Sequence, residues 1–232
     1  AKILFRRLSR HLLFLMMVTP FVAALAMLPE RSAQASKYAA IVIEESSGRV
    51  LFARNADKAR FPASLTKIMT LYLLFEDLEA GRISMTTRLQ VSRVAASRSP
   101  SKLYLKPGQS IAVKDAIYAL ITKSANDVAT VVAEGLSKTE REFGKRMTRK
   151  ARALGMSRTT FRNASGLPHS KQRTTARDMA RLAIAVRRDF PQFFGFFGTK
   201  SFRWKGQRFG NHNKLLANYA GTDGIKTGYI DA

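Results

Sequence analysis

Apolar positions along the chain follow two spacings, and the change between them divides the sequence into three parts. At the start, apolar and β-branched runs at 38–43 and 50–52 flank Ser46-Ser47-Gly48, which supplies turn chemistry. Two short apolar runs joined in this way predict a β-hairpin. From residue 65 to residue 75 the apolar positions lie three and four apart behind Pro62, which predicts a helix with one buried face.

The middle of the chain keeps the helical spacing, and the last part returns to strand-like runs. Glycines at 81 and 155 stand where two of the helices are expected to end. Aromatic residues on both sides of Lys205-Gly206 predict a second hairpin, and a last strand is predicted to carry Lys226-Thr227-Gly228. The other predicted helices are 115–122, 128–136, 140–154 and 175–186.

This order of elements indicates an α+β fold. Strands come first, helices occupy the middle and strands come last, so we expect an antiparallel sheet contributed by both ends of the chain, with a helical insertion between them. No internal repeat and no low-complexity segment interrupts the order.

Residues 1–35 have the pattern of an export signal. Basic residues precede an apolar run at 12–28, and Ala33-Gln34-Ala35 offers small residues at the positions that a signal peptidase reads. We expect cleavage after Ala35, which leaves residues 36–232 as an exported domain of the periplasm or cell envelope. An uncleaved membrane anchor is the alternative, but Pro20 interrupts the apolar run and the alanine pattern favours cleavage.

The amino-acid composition excludes several classes of protein and of catalytic site. The 232 residues include no cysteine and three histidines, and the net charge is +24. This excludes a disulfide scaffold and a thiol nucleophile, and it leaves little material for a histidine metal site, so we expect neither metal nor cofactor. The basic residues are scattered and accompany no nucleic-acid fold signature, so the expected charged partner is an anionic wall or membrane surface and not nucleic acid.

One candidate site lies at the start of the first predicted helix. Ser64 and Lys67 are three positions apart, so their side chains share a helix face. A serine hydroxyl needs a base to become a nucleophile, and a lysine amine can serve when burial or a second cation lowers its pKa. Ser-x-x-Lys is a weak signal alone, because a capping serine and a solvated lysine give the same pattern.

Two further short motifs are compatible with the same chemistry. Ser124 and Asn126 stand between two predicted helices, where they are either caps or a proton-passing hydroxyl and a substrate-holding amide. Lys226 and Thr227 are either a solvated strand end or a cation and a hydroxyl that hold a carboxylate. Gly228 would let a substrate backbone lie close to that strand.

Together the three motifs are much more specific than any one of them. This triplet is known from class A β-lactamases and penicillin-binding proteins. From residue 38 to residue 231 the chain resembles the low-molecular-mass penicillin-binding proteins of the D-alanyl-D-alanine carboxypeptidase family. The segments that carry this resemblance are PASLTK at 62–67, KSAND at 123–127, FRNASGL at 161–167, TARDMA at 175–180, NHN at 211–213 and DGIKTGY at 223–229.

The resemblance implies an acyl-enzyme mechanism on a β-lactamase/DD-peptidase-like fold, with peptidoglycan muropeptides as substrates. Ser64 would attack the peptide bond between two terminal D-alanines after Lys67 takes its proton. The backbone N–H groups of Ser64 and Tyr229 would form the oxyanion hole. β-Lactam antibiotics would be covalent inhibitors.

The remaining roles are implied by the same resemblance. Ser124 and Lys226 would pass a proton to the departing D-alanine, Asn126 would orient the substrate amide, and Lys226 with Thr227 would hold the terminal carboxylate. The family's catalytic domain continues past the lysine-threonine-glycine segment, so the resemblance also implies that residues 36–232 are an incomplete domain that folds poorly alone or is inactive.

Three alternatives stay open. The first is a β-lactamase on the same scaffold, although residues 161–174 contain no carboxylate that could activate a hydrolytic water. The second is a non-catalytic basic module that binds a wall or membrane. The third is an endopeptidase that cleaves cross-links with the same site.

Overall fold

A long helix, α1 (Thr66–Glu79), runs through the core, and most of its side chains are buried on every side. The computed structural model describes residues 38–229, so the predicted signal segment 1–35 lies outside the described residues. The other helices are α2 (Arg93–Ala96), α3 (Val113–Tyr118), α4 (Asn126–Ser137), α5 (Glu140–Ala153), α6 (Ala176–Asp189), α7 (Pro191–Phe194) and α8 (Leu215–Asn218).

Three antiparallel hairpins or ribbons surround this helical core in residues 38–229. Each is a two-stranded sheet, in which β1 pairs with β2, β3 with β4 and β5 with β6. The strands are β1 (Ala40–Ile43), β2 (Val50–Arg54), β3 (Arg88–Gln90), β4 (Ser110–Ala112), β5 (Ser201–Trp204) and β6 (Gln207–Gly210). The α+β class and both predicted hairpins are therefore confirmed.

The single sheet expected from the two ends of the chain is not present in this part of the structure, and this detail of the prediction is wrong. The β1–β2 hairpin packs against α6, whereas the β5–β6 hairpin packs against the helical segment that follows α3. The β5–β6 hairpin buries Phe202 in this way, whereas the first hairpin contacts its helix mainly through β1 and every residue of β2 is exposed. Residues 226–228, predicted to lie on a last strand, belong to none of the strands in residues 38–229, and just before them Asn213 Nδ2 donates to Gly224 O at 3.0 Å.

The helical predictions hold, with one change that shapes the site. After α3 the chain continues as one turn of π-helix, Ala119–Lys123, where regular α-helix was expected. Wide turns of this kind often occur at functional sites. Ser124 ends the turn in the left-handed conformation, with φ +58°, and α4 starts two residues later.

The core beside α1 is rich in aromatic side chains. The ring of Phe75 packs against Phe190, Phe193 and Phe197 with centroid separations of 5.9, 5.0 and 6.2 Å. Such contacts contribute beyond their buried area and fix α1 against α6 and α7. In residues 38–229 no helix is both long enough and apolar enough to cross a membrane.

A buried carboxylate attaches the segment before β4 to the start of α4. Asp127 has no exposed surface, and its oxygens accept hydrogen bonds from the backbone N–H groups of Leu103 and Leu105 at 3.1 Å each. A third bond comes from Val128 N at 2.9 Å. The charge is therefore neutralised by backbone donors, and the 103–105 segment is fixed beside the residues that precede α4.

Replacing Asp127 should destabilise the protein through those orphaned donors. We expect Asp127→Ala to lower the free energy of unfolding by about 3 kcal/mol, because three buried N–H groups lose their acceptor. Asp115→Ala is the control, since this residue in the first turn of α3 should cost less than about 1 kcal/mol. Urea denaturation measures both, and equal losses would contradict the assignment.

Candidate active site

A cleft of about 460 Å³ opens beside the start of α1. Its walls come from six separate segments of the chain, and they bring together most of the residues singled out by the three motifs. The predicted site residues that line the cleft are Ser64, Ser124, Asn126, Thr227, Gly228 and Tyr229. Lys67 lies beneath this surface.

Ser64 lies in a short 3₁₀ helix, Ala63–Leu65, that leads directly into α1. Ala63 has a φ of +48°, which is costly for a residue with a side chain. This turn exposes the serine to the cleft, while the i, i+3 spacing keeps it beside Lys67. The distance from Lys67 Nζ to Ser64 Oγ is 3.2 Å.

The side chain of Lys67 is 0% exposed, and its terminal amine is surrounded by hydrogen-bond acceptors. Besides Ser64, its Nζ donates to Asn126 Oδ1 at 2.7 Å and to the Ser165 carbonyl at 2.5 Å. Burial holds the pKa of this amine well below its usual range, and the Lys226 cation lowers it further, against the opposing effect of Asp127 and Glu140. A buried amine with a low pKa, hydrogen-bonded to a serine, can accept that serine's proton.

Ser124 contributes a hydroxyl group to the lining of the cleft. Its Oγ is buried and has no hydrogen-bond partner among the groups of residues 38–229. The left-handed backbone at Ser124 is uncommon for a residue other than glycine, and it follows directly from the π-turn. A free hydroxyl on a strained turn, facing a cleft, is available to a bound molecule.

Asn126 connects the base to the opposite wall of the cleft. Its Oδ1 accepts from Lys67, and its Nδ2 donates to the Ser99 carbonyl at 2.9 Å. Its backbone N–H also bonds to the Ser101 carbonyl at 2.6 Å. One donor and one acceptor position of the side-chain amide remain for a ligand.

Residues 226–229 lie against the turn that carries the serine. A Cβ added to Gly228 would lie 3.3 Å from Ser64 N, so a side chain there would force the backbone away from the Ser64 N–H by a few tenths of an ångström. Burial lowers the pKa of Lys226 to about 8, and its Nζ donates to the Thr227 carbonyl at 2.9 Å. Tyr229, 83% exposed, completes this wall of the cleft.

The sequence motifs missed two contributors from residues 163–166. The Ser165 carbonyl is an acceptor for Lys67, and backbone acceptors leave no mark in a sequence. Gly166, with φ +87°, passes so close to the serine turn that a Cβ there would lie 1.7 Å from the Ala63 carbonyl oxygen. A glycine after Asn163 and Ser165 was the available signal, because Asn163 Oδ1 accepts from Gly166 N at 2.7 Å and shapes this turn.

His212 was also missed, although it lines the cleft. It follows β6 and is exposed, and its pKa is lowered first by partial desolvation and then by the cations of Lys226 and Lys123. Three clustered His, Cys, Asp or Glu side chains, as a metal ion would need, do not occur in residues 38–229.

Comparison with known proteins gives the family. Residues 26–232 match the family model described as D-alanyl-D-alanine carboxypeptidase, peptidase family S11. The chain belongs to this family, and the resemblance predicted from the motifs is confirmed.

Relatives of known name agree with this result. The chain is 36% identical over 194 residues to D-alanyl-D-alanine carboxypeptidase DacF of Bacillus subtilis, covering 82% of this chain and 50% of that protein. The chain therefore spans about half the length of the curated relatives it matches.

Solved structures show the same fold. The D-alanyl-D-alanine carboxypeptidase DacD of Francisella tularensis superposes with a TM-score of 0.81 at 29% identity, covering 84% of this chain and 60% of that one. Penicillin-binding protein D2 of Listeria monocytogenes, in its ampicillin-bound form, superposes with a TM-score of 0.75 at 32% identity, covering 83% and 79%.

The close approach of Gly166 to the serine turn can be tested with a matched pair. Gly155 also has a positive φ, of +74°, but a Cβ there would meet nothing within 4 Å. We expect Gly155→Ala to cost about 1 kcal/mol of unfolding free energy from backbone strain alone. Gly166→Ala should cost about 3 kcal/mol or more, because Ala63 must also move. Similar losses in the two variants, measured by thermal and urea denaturation, would contradict this contact.

Proposed function

We propose that this chain contains the acylation site of a serine D-alanyl-D-alanine carboxypeptidase, which removes the terminal D-alanine from peptidoglycan stem peptides. The observation that carries the proposal is the buried Lys67 amine, 3.2 Å from Ser64 Oγ, with its pKa lowered by burial. Family membership and the names of the relatives support the substrate class.

Acylation begins with proton transfer from Ser64 Oγ to Lys67 Nζ. The oxygen then attacks the carbonyl carbon of the bond between the two D-alanines, and negative charge develops on the carbonyl oxygen. The N–H groups of Ser64 and Tyr229 stabilise that charge, and a single donor of this kind is worth about 3 kcal/mol in other serine peptidases. The tight passage of Gly228 beside Ser64 N supports this pairing of donors.

The departing D-alanine needs a proton on its nitrogen. The C–N bond breaks as Ser124 Oγ donates one, and Ser124 is recharged from Lys67 or Lys226. The absence of any partner for Ser124 Oγ in the described residues supports this relay, because no bond must break before the hydroxyl turns to the leaving group. Water then hydrolyses the ester and regenerates Ser64.

Residues on two sides of the cleft orient the substrate. Lys226 and Thr227 hold the terminal carboxylate, which suits the chemistry of a carboxypeptidase. Asn126 uses its remaining amide positions for the substrate backbone while its Oδ1 stays on Lys67. Endopeptidase cleavage of cross-links would use the same serine and the same base.

Rapid release of a β-lactam is not supported by the cleft. No Asp or Glu lines it within residues 38–229. The carboxylates that influence Lys67 are engaged elsewhere, because Asp127 accepts from three backbone N–H groups and Glu140 pairs with Arg98. Without a free carboxylate to activate water, the antibiotic ester is expected to persist.

The proposed setting is the outer side of the cytoplasmic membrane. It is supported by the export pattern of residues 1–35 and by a substrate that belongs to the cell wall. Without residues 1–35, which carry five basic residues and one acid, the net charge is +20, and this charge suits contact with anionic wall or membrane surfaces in that setting.

Covalent labelling tests the nucleophile. We expect fluorescent penicillin to label the chain in a denaturant-stable band, and Ser64→Ala to abolish the band because the ester oxygen is gone. Ser157→Ala, which changes an exposed serine away from the cleft, should label like the wild type. Undiminished labelling of Ser64→Ala would reject Ser64 as the acylated residue.

The pH profile tests Lys226. Its lowered pKa means that the cation holding the substrate carboxylate is lost as the pH rises through about 8, so kcat/KM should fall there. Lys67 acts in the opposite sense, because its neutral fraction grows with pH. In Lys226→Arg the guanidinium stays charged, so the alkaline fall should move to higher pH. Lys214→Arg, an exposed control, should leave the profile unchanged; an unmoved alkaline limb in Lys226→Arg would contradict the assignment.

A further inference from the structure

The β5–β6 hairpin lies in a stretch of sequence that contains no acid. Between Asp189 and Asp223 the chain has no Asp or Glu, although basic residues recur throughout. Elsewhere many cations are paired with carboxylates, as Arg146 is with Asp77. The basic residues of this acid-free stretch are Lys200, Arg203, Lys205, Arg208 and Lys214.

Two arginines stand directly opposite each other on this hairpin. Arg203 in β5 pairs with Arg208 in β6, so both side chains leave the same face of the ribbon, and both are exposed. Arg208 Nε donates to Ser201 Oγ at 3.1 Å, but neither guanidinium has a carboxylate partner in residues 38–229. Like charges at opposed positions of a hairpin are destabilising. An external anion would relieve that repulsion.

The other face of the hairpin fixes the arginines outward. Phe202 is buried, and its ring stacks on Tyr118 with a centroid separation of 5.6 Å. Residues 205 and 206 have φ values of +46° and +82°, as in a tight two-residue turn. The ribbon is therefore anchored by its aromatic face, and the arginine face stays in solvent.

The hairpin packs, through its aromatic face, on an element that leads into the cleft. The hairpin packs on the π-turn Ala119–Lys123, and Lys123 Nζ lies 5.4 Å from the centre of the Phe209 ring. The next residue after that turn is Ser124, and His212 follows β6 by two positions; both line the cleft. A polymer long enough to fill the cleft and continue around the hairpin would reach its outer face, which carries Arg203 and Arg208.

The hairpin suits a hydrated polyanion better than a lipid bilayer. Insertion into a bilayer uses exposed large apolar side chains beside the cations. Such side chains are exposed on β1 and β2, at Val42, Leu51 and Phe52, whereas Phe202 is buried and Trp204 and Phe209 are half-buried. Charge complementarity without apolar exposure favours a polar, negatively charged polymer.

We propose that the β5–β6 hairpin is a docking surface for the carboxylates of neighbouring stem peptides on the peptidoglycan strand whose own stem peptide occupies the cleft. The identity of the strand rests on the proposed function. A strand that displays many free carboxylates is a polyanion, and the paired arginines offer forked donors that match carboxylate geometry. The surface would act on polymer and would be silent for a short peptide.

Sedimentation with purified insoluble peptidoglycan tests this surface without requiring turnover. In a Ser64→Ala background, we expect Arg203→Glu with Arg208→Glu to weaken binding about tenfold at low salt, as loss of several surface ion pairs would. Arg141→Glu with Arg149→Glu changes the net charge equally on two exposed arginines of α5 that do not line the cleft, and should bind as the parent does. Peptidoglycan with amidated carboxylates should bind the parent as weakly as native polymer binds the hairpin variant.

Other results would overturn the proposal. Equal weakening in the two double variants would make net charge responsible, and full binding by the hairpin variant would remove the surface. Undiminished binding of amidated polymer would point to a different anion. If the hairpin variant kept peptidoglycan binding but lost binding to phosphatidylglycerol vesicles, the surface would belong to a membrane.

Two further measurements separate misfolding and failure of the proposed function from failure of the surface. Circular dichroism melting checks the fold, and Arg203→Gln with Arg208→Gln repeats the test without introducing new acids. With Ser64 intact, the hairpin variant should keep its rate of penicillin labelling, while the KM for D-alanine release from polymer rises and kcat stays the same. Absence of labelling in the wild type would count against the proposed function and leave the binding result standing.

Discussion

A fully buried lysine side chain must either lose its proton or find acceptors for its N–H groups. At Lys67 burial lowers the pKa of the amine, and the amine also has three acceptors. Its amine reaches Ser64, Asn126 and the Ser165 carbonyl, which belong to three segments that are distant in sequence. Because an unpaired buried ammonium group is costly, all three segments must be in place at once. The position of the start of α1 is thereby coupled to the start of α4 and to the 163–166 turn.

The same requirement explains the residues around this centre. Asp127 turns its carboxylate to the backbone N–H groups of Leu103 and Leu105, and Glu140 pairs with Arg98, so neither acid forms a direct ion pair with the lysine. A direct pair would raise the pKa of the amine and keep it protonated. The two acids therefore stabilise the segments around the site, and the hydrogen-bond acceptors of Lys67 are all neutral. Neutral acceptors allow the amine to lose its proton and act as a base.

The parts of this structure that the sequence predicts are those with local signals. Apolar spacing places α1 and both end hairpins, and the spacing of Ser64 and Lys67 places them together. The π-turn Ala119–Lys123 is not predicted by the sequence, because one wide turn hardly alters the apolar spacing of a helix. Residues 226–228 are predicted to lie on a strand, but strand formation depends on pairing with a distant segment, and pairing is not encoded locally. The role of the Ser165 carbonyl as an acceptor for Lys67 is not predicted either, because a backbone acceptor does not depend on residue type.

Several departures from local rules lie beside the cleft, at the serine turn and at the end of the π-turn. Ala63 and Ser124 take positive φ values, and the hydroxyl oxygens of Ser124 and Thr66 are buried without a partner among the described residues. Each is unfavourable alone, and together they must be offset by packing elsewhere, which the aromatic contacts of Phe75 provide on the far part of α1. A helix that is stabilised at one end can hold strained, unsatisfied groups at the other. That division lets one element supply both the core and the proposed nucleophile and base.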